Sequence, residues 1–365
     1  MTMEGVLFVD HTTILGGAEL SLARYLRSDL GSSSAIAFLS PHSAEPWKLP
    51  ASVQAVHTRG EAGTTGIREL VRELSEIIDW LNPRVVVANS FSAAQYLAFV
   101  PKRGRTYAYF LRQEALPEGL SKVKSVLNRT FVLRRFDYFL ANSEWTASTL
   151  PASVDRSRVL LSRPISGIQV GSDPADTVHS GATRLLAMSR LSPWKGVHTA
   201  IEAVRILNQD APSTAQLTVA GGDLFGEAEY STRLRGLADG QPVHFVGHQD
   251  DTAPLLRGAD VLLCLSVTPE PFGQVVVQGL ANGRIVIATD QGGPREIIQH
   301  GVSGFLVPPE SPGAVAAVVA ALRADTEMAA RVSAAARRRA GDFVDSVTIP
   351  HFHKALVEIS KGADR

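Results

Sequence analysis

Short apolar runs punctuate this chain, and longer stretches with helical spacing of apolar positions separate them. In the first half the runs are GVLFVD (5–10), SAIAFL (34–39), VQAVH (53–57), RVVVANS (84–90), TYAYFL (106–111) and DYFLANS (137–143). The second half repeats the rhythm with RLLAMS (184–189), AQLTVAG (215–221), VHFVG (243–247), DVLLCLS (260–266) and RIVIATD (284–290). Each run reads as a strand, and the intervening stretches, such as residues 67–81, read as amphipathic helices. Strands alternating with helices predict parallel sheets covered by helices.

The rhythm pauses once, at RPISGIQVGSDPADTVHSGAT (163–183), which is rich in Gly, Pro, Ser and Asp. We read it as a linker between two doubly wound, Rossmann-like domains, residues 1–170 and 171–342, followed by a terminal segment, 343–365. Ligands in such folds bind at the carboxyl ends of the strands. A cleft faced by both domains is therefore the expected site.

The stretch PEPFGQVVVQGLANGRIVIATDQGGPREII (269–298) is the most constrained in the chain. DVLLCLS and RIVIATD look like neighbouring parallel strands, and a parallel connection needs a crossover, usually a helix. The helix must fall near 273–282, although QVVVQG is β-branched and local propensity points to a strand. Glu270 then sits in a loop at a strand's C-terminal end, with Pro269 and Pro271 limiting the backbone around it. Gly273 opens the helix, whose first N–H groups attract an anion such as phosphate. Gln274 and Gln278, four apart, share a helix face. A second glycine-rich turn, DQGGPREI, starts another helix near Pro294. Two such turns side by side suit a phosphorylated ligand; they equally suit ordinary strand–helix connections.

Composition removes several classes. The chain has 365 residues, 45% hydrophobic and 20% charged, with formal net charge +0. That is the profile of a globular protein, with no global electrostatic case for nucleic acid. The single Cys264 lies in a buried-strand pattern and reads as an inert core residue. One cysteine permits no internal disulfide, which fits a reducing compartment, the cytoplasm. The start MTMEGVLFVDHT does not read as a signal peptide. No apolar run approaches the roughly 20 residues needed to cross a bilayer.

The segment EPFGQVVVQGLANGRIVIATDQGGPREIIQHGVSGFLVPP (270–309) resembles the signature region of the GT-B glycosyltransferases of family GT4. That family carries E-x7-E, a following strand, a GG-x-x-E turn and a G-x-x-G-f-l-v turn. Other pieces fall in the family's order: GGAEL (16–20), SRLSPWKG (189–196), AGGD (220–223) and HFVGHQDD (244–251). The resemblance is strong in the second half and loose between about 30 and 180.

The resemblance implies a GT-B fold whose second domain binds a nucleotide-sugar donor and whose first binds the acceptor. It assigns Arg190 and Lys195 to the donor diphosphate, where fixed cations stabilise the charge that grows on the leaving group. Glu270 would accept hydrogen bonds from sugar hydroxyls, beside the backbone of Phe272, Gly273 and Gln274. Gly16, Gly17 and Gly222 would let backbone approach the ligand. Glu19 carries either a cap-like or an acceptor-side role. Two departures stand out. The second Glu of E-x7-E is Gln278 here, which retains hydrogen bonding but removes a negative charge near the diphosphate. The family's first-domain His is missing from YAYFLRQEAL (107–116), leaving Arg112, Glu114 or His11 as stand-ins.

The family retains anomeric configuration, and its usual front-face proposal lets the leaving phosphate oxygen deprotonate the acceptor. A retaining hydrolase would instead want two carboxylates about 5 Å apart, and no convincing pair stands out. With no D-x-D and no His/Cys cluster at metal spacing, the expected transfer is metal-independent, with UDP-sugar the favoured donor. The expected acceptor is a hydroxyl on a small molecule or glycan. A lipid-linked acceptor at a membrane surface is an alternative, as is a non-catalytic relative that binds sugar nucleotides. LSKVKSVLNRTFVLRRF (120–136) bears on that choice, having five cations and no acid. It reads as a basic amphipathic helix, lying either on an anionic membrane or against the sheet with its cations solvated.

Overall fold

A computed structural model describes residues 5–117, 119–169, 181–209, 211, 213–222 and 228–362. The chain divides into two compact units, Met1–Gly167 with Asp345–Arg365, and Ile168–Val344. Much of the expected linker, and Asp223 of AGGD, lie outside the described residues.

The first unit holds a seven-stranded sheet: β1 (Val6–Asp10), β2 (Ala35–Phe38), β3 (Gln54–His57), β4 (Val85–Ala88), β5 (Thr106–Leu111), β6 (Tyr138–Ala141) and β7 (Val159–Leu161). Its order is β3-β2-β1-β4-β5-β6-β7, and every pairing is parallel. A parallel sheet covered on both faces needs apolar residues pointing both ways. β1 supplies them: Leu7 and Val9 join Leu70, Leu74 and Ile78 of the helix Ile67–Leu81 on one face. Val6 and Phe8 join Tyr25 and Leu26 of the helix Gly17–Arg27 on the other.

The second unit repeats the plan with β8 (Thr183–Met188), β9 (Ala215–Ala220), β10 (Val243–Gly247), β11 (Val261–Cys264), β12 (Ile285–Thr289) and β13 (Phe305–Val307). The order is β10-β9-β8-β11-β12-β13, again all parallel. Every strand expected from the sequence is present. The pattern singled out neither β7 nor β13, because each is three residues long and carries too few positions for a period. The disputed stretch is a helix, Gln274–Ala281, despite its β-branched residues. Val276, Val277 and Leu280 are buried, and Gly279 lets the helix press on β11, since a Cβ there would fall 2.5 Å from Leu262 Cδ2. Packing outweighs local propensity at this position. The basic stretch is helical from Lys122 to Leu127, then a π turn, Asn128–Val132, and a 3-10 turn, Leu133–Arg135.

The terminal helix Asp345–Gly362 belongs to the first unit. Its Phe352 lies against Tyr25, Phe110 and Phe8, with ring centroids 4.6, 5.3 and 6.1 Å apart. Phe352, Leu356 and Ile359 are almost fully buried. The sheet face under them would be open to water without this helix. Phe352→Ala should therefore destabilise the first unit by about 3–5 kcal/mol, read by thermal or urea unfolding. Ending the chain after Val344 should cost solubility; a soluble truncation with an unchanged unfolding midpoint would contradict this.

Candidate functional site

Each sheet has one point where the chain reverses its direction of winding, between β1 and β4 and between β8 and β11. Such a point opens a crevice at the strands' carboxyl ends. In the second unit three loops meet there. After β8, the turn Pro193–Lys195 ends at Gly196, whose φ is +68° and whose Cβ, if it had one, would fall 1.8 Å from Leu265 O. Only glycine allows so close an approach to the loop after β11. Val267 N closes the contact by donating to Trp194 O at 2.7 Å.

Lys195 is thereby aimed at Glu270. Its Nζ donates to Glu270 Oε2 at 2.6 Å and lies 4.0 Å from the centroid of the Trp194 ring. Ser266 Oγ donates to the same Oε2 at 2.9 Å. The Glu270 main chain is held as well, since its carbonyl accepts from Gly293 N at 2.8 Å and it pairs with Gly292 across a β-bridge. Gln291 Nε2 donates to Ser266 O and Val267 O, tying the loop after β12 to the loop after β11. The glycine pair matters sterically: a Cβ on Gly292 or Gly293 would fall 2.3 Å from Glu270 O or 2.2 Å from Phe272 O. The Lys195 and Glu270 side chains keep 17% and 21% of their surface in solvent, so a ligand can reach them.

Gly273 has φ +102°, a conformation that favours glycine, and it opens the helix Gln274–Ala281. Gln274 and Gln278 are half-buried on one side of that helix. Phe272 is buried, its ring against that of Phe343. The helix at Pro294 is a single turn, Pro294–Ile297. Arg190 is exposed, its guanidinium 5.9 Å from the Trp194 ring centroid. Gly222 O accepts from Leu191 N at 3.0 Å. Cys264 ends β11, and burial pushes its thiol up to about 12, so it stays protonated and inert at neutral pH.

The first unit's reversal point holds a polar network that the sequence reading only touched. Asp10, fully buried, accepts from Asn89 Nδ2 at 2.6 Å. Asn89 Oδ1 accepts from Arg112 Nε and Nη2 at 3.0 and 2.6 Å, and the guanidinium lies over Phe110. Burial draws the Arg112 pKa down to about 10 while Glu19 and Asp10 oppose it, leaving the side chain charged at neutral pH. Glu19 Oε2 accepts from Gly16 N at 3.0 Å, capping its own helix. A Cβ on Gly16 would fall 2.7 Å from that oxygen. Gly16 thus makes room for the Glu19 cap, and Gly17 begins the helix. His11 Nδ1 lies 3.2 Å from Asp10 Oδ1. Asp10, His11 and Glu19 are the one group among the described residues with metal-like spacing, and these same carboxylates are engaged by Asn89 and by main-chain N–H groups.

The sequence thus named Lys195, Glu270, Gly273, Glu19 and Arg112, and missed Ser266, Trp194, Gln291, Asp10 and Asn89. Asp10 and Asn89 had a signal, being polar residues that close otherwise apolar runs.

Comparison with known proteins fits this geometry. Residues 174–339 match the family described as Glycosyl transferases group 1. The match lies within the second unit and covers a little under half of the chain. Among relatives of this family, glycogen synthase of Mycobacterium tuberculosis is 33% identical over 177 residues, 47% of this chain and 41% of that protein. A D-inositol 3-phosphate glycosyltransferase of Jonesia denitrificans is 33% identical over 163 residues, 42% of this chain and 38% of that protein. The chain spans about a third to two-fifths of the length of the curated relatives it matches. Solved glycosyltransferase structures share the GT-B fold. HepE of Anabaena, in complex with UDP and glucose, superposes with TM-score 0.81 at 23% identity, covering 97% of this chain and 99% of that one. Sucrose-phosphate synthase of Thermosynechococcus elongatus gives TM-score 0.77 at 18% identity, covering 98% and 100%.

The His11 environment has a pH consequence. Burial opposes its charge, but the hydrogen bond to Asp10 and the charges of Asp10 and Glu19 outweigh it and raise the pKa. A raised folded-state pKa stabilises fully below the unfolded value, near 6.5, and the effect is lost as pH rises through the folded value. His11→Asn should therefore cost more stability at pH 6 than at pH 9, measured by urea unfolding. An equal cost at both would contradict the assignment.

Proposed function

We propose that the chain is a retaining, metal-independent glycosyltransferase of the cytoplasm. It moves a sugar from a nucleoside diphosphate sugar, a UDP-sugar first, to an acceptor hydroxyl on a small molecule or glycan. The observation that carries this reading is the Lys195–Glu270 pair at the second unit's reversal point, beside the helix that starts at Gly273. A cation, a hydrogen-bond acceptor and backbone N–H groups in one crevice match a donor that is anionic at its diphosphate and polyhydroxylated at its sugar. The complexes of Anabaena HepE with UDP and with UDP-glucose support the choice of donor.

The chemistry follows from where charge moves. As the anomeric carbon–oxygen bond breaks, the diphosphate gains negative charge. Lys195 and Arg190 are assigned to meet it, supplying the stabilisation that a divalent cation gives elsewhere. Glu270 is assigned to the sugar hydroxyls. The acceptor oxygen bonds to the anomeric carbon on the face the phosphate leaves, and its proton passes to the departing phosphate oxygen, so no separate base is needed. Gln278 is assigned to the ribose, where an amide both donates and accepts. Gln274 and the backbone of Phe272, Gly273 and Gly222 line the donor's path. The first unit is assigned the acceptor, with Arg112 a half-buried cation at the reversal point. We extend Gly16, Gly17 and Glu19 only the supporting role of shaping that edge.

Calorimetric titration with UDP, GDP, ADP and TDP, each with and without EDTA, tests the reading. One nucleotide, UDP, should bind with an affinity that EDTA leaves unchanged. Lys195→Ala and Arg190→Ala should each weaken it by about 10- to 100-fold, the scale of one charge-assisted contact. Binding of none of the four would overturn the donor site and favour a relative that has lost it. Binding that EDTA abolishes would overturn metal independence.

A further inference from the structure

The basic helix of the first unit is inside out. A helix on a sheet normally buries an apolar stripe and shows water its polar residues. Here Val123, Val126 and Leu127, three and four apart and therefore on one face, are 78%, 59% and 43% exposed. The residue turned inward is polar: Asn128 is 1% exposed, and its amide nitrogen donates to Lys124 O at 2.8 Å. The inversion is held in place from its C-terminal end. Arg135 donates to Ala98 O and Val100 O, and Val132, Leu133 and Phe136 are buried in the core. The N-terminal turns therefore cannot roll their valines inward without uprooting that anchor.

Charge identifies what covers the stripe. At 100° per residue, Lys122 falls on one flank of the Val123–Val126–Leu127 face and Lys124 on the other. Both are exposed, as is Arg129 in the turn that follows, and the stretch 120–136 contains no acidic residue. A narrow apolar ridge with a cation on each flank matches the boundary of an anionic bilayer. There the ridge enters the acyl region and the lysines reach back to the headgroups. An acidic protein groove would satisfy the cations but would not call for them on both sides of the ridge. The helix follows β5 and so begins at the carboxyl edge of the sheet that also bears Arg112.

We propose that this helix docks the first unit on an anionic lipid surface, so that the acceptor hydroxyl, on a small molecule or glycan, is one presented at a membrane. The link to an acceptor rests on the transferase reading above; the docking itself does not. No helix of the described residues is long and apolar enough to cross a membrane; the proposed contact is a peripheral one.

Cosedimentation of the full chain with vesicles tests it, comparing phosphatidylglycerol–phosphatidylcholine mixtures with phosphatidylcholine alone. The chain should partition onto the mixed vesicles at least 10-fold more strongly than onto the neutral ones. Lys122→Ala and Lys124→Ala should each lower partitioning about fivefold. Val123→Asp with Val126→Asp should abolish it with the thermal midpoint unchanged, because both side chains already face water. No preference for anionic vesicles would overturn the proposal. Binding that responds to the lysine variants but not to the aspartates would also overturn it, since charge alone would then suffice. UDP titration on the same preparations separates the two readings: nucleotide binding without vesicle binding sinks only the docking, and the reverse sinks only the donor site.

Discussion

The contact between the Lys195 ammonium and the Glu270 carboxylate is the constraint around which the second unit's working edge is built. It joins the loop after β8 to the loop after β11, and the loop after β12 holds the Glu270 main chain from the other side. None of this closes unless three glycines, Gly196, Gly292 and Gly293, allow backbone to touch backbone. The two prolines on either side of Glu270 then read as part of the same device, limiting the freedom of a loop whose carboxylate must hold one direction. Placing both charges at the rim, partly solvated, avoids the full desolvation penalty of a buried pair. It also leaves the cation able to exchange its carboxylate for a stronger anion.

That exchange is the physical core of the functional reading. On the proposed function, a diphosphate arriving beside Lys195 would compete with Glu270, and the released carboxylate would need hydrogen-bond donors, which sugar hydroxyls supply. Ser266 also donates to Glu270 Oε2, a bond that does not depend on Lys195. In the first unit the arrangement is different in kind. Asp10, Asn89 and Arg112 form a chain of bonds that already satisfies most of its members, so this edge is stiff, and Glu19 is committed to capping its own helix. The second unit's edge thus carries a partly solvated ion pair, and the first unit's a fixed polar wall.

Much of this was legible in the sequence, for reasons that can be named. The long apolar strands and the 67–81 helix were readable because their periodicity runs over enough residues to exclude alternatives. The crossover helix at 274–281 was readable only through topology, because its valines favour a strand and the decisive packing against Leu262 is long-range. β7 and β13 were too short to leave a pattern. Glu270, Lys195 and the glycine turns were found through a family resemblance that the match over 174–339 supports. Ser266, Gln291 and Asn89 were not found, since an isolated polar residue at a strand end says nothing about which loop it will meet. The exposure of Val123 and Val126 was equally hidden. The sequence shows an amphipathic helix but not which way it faces, and the direction is set by Arg135 and its bonds to Ala98 and Val100.

The central claim is that a nucleoside diphosphate occupies the second unit's reversal point between Lys195 and the Gly273 helix start. Amide hydrogen exchange with and without UDP, read by mass spectrometry at peptide resolution, tests it most directly. The account predicts slowed exchange concentrated in three segments, 190–197, 266–276 and 291–296, with the rest of the second sheet unchanged. Protection confined to other segments, or none at saturating UDP, would contradict it.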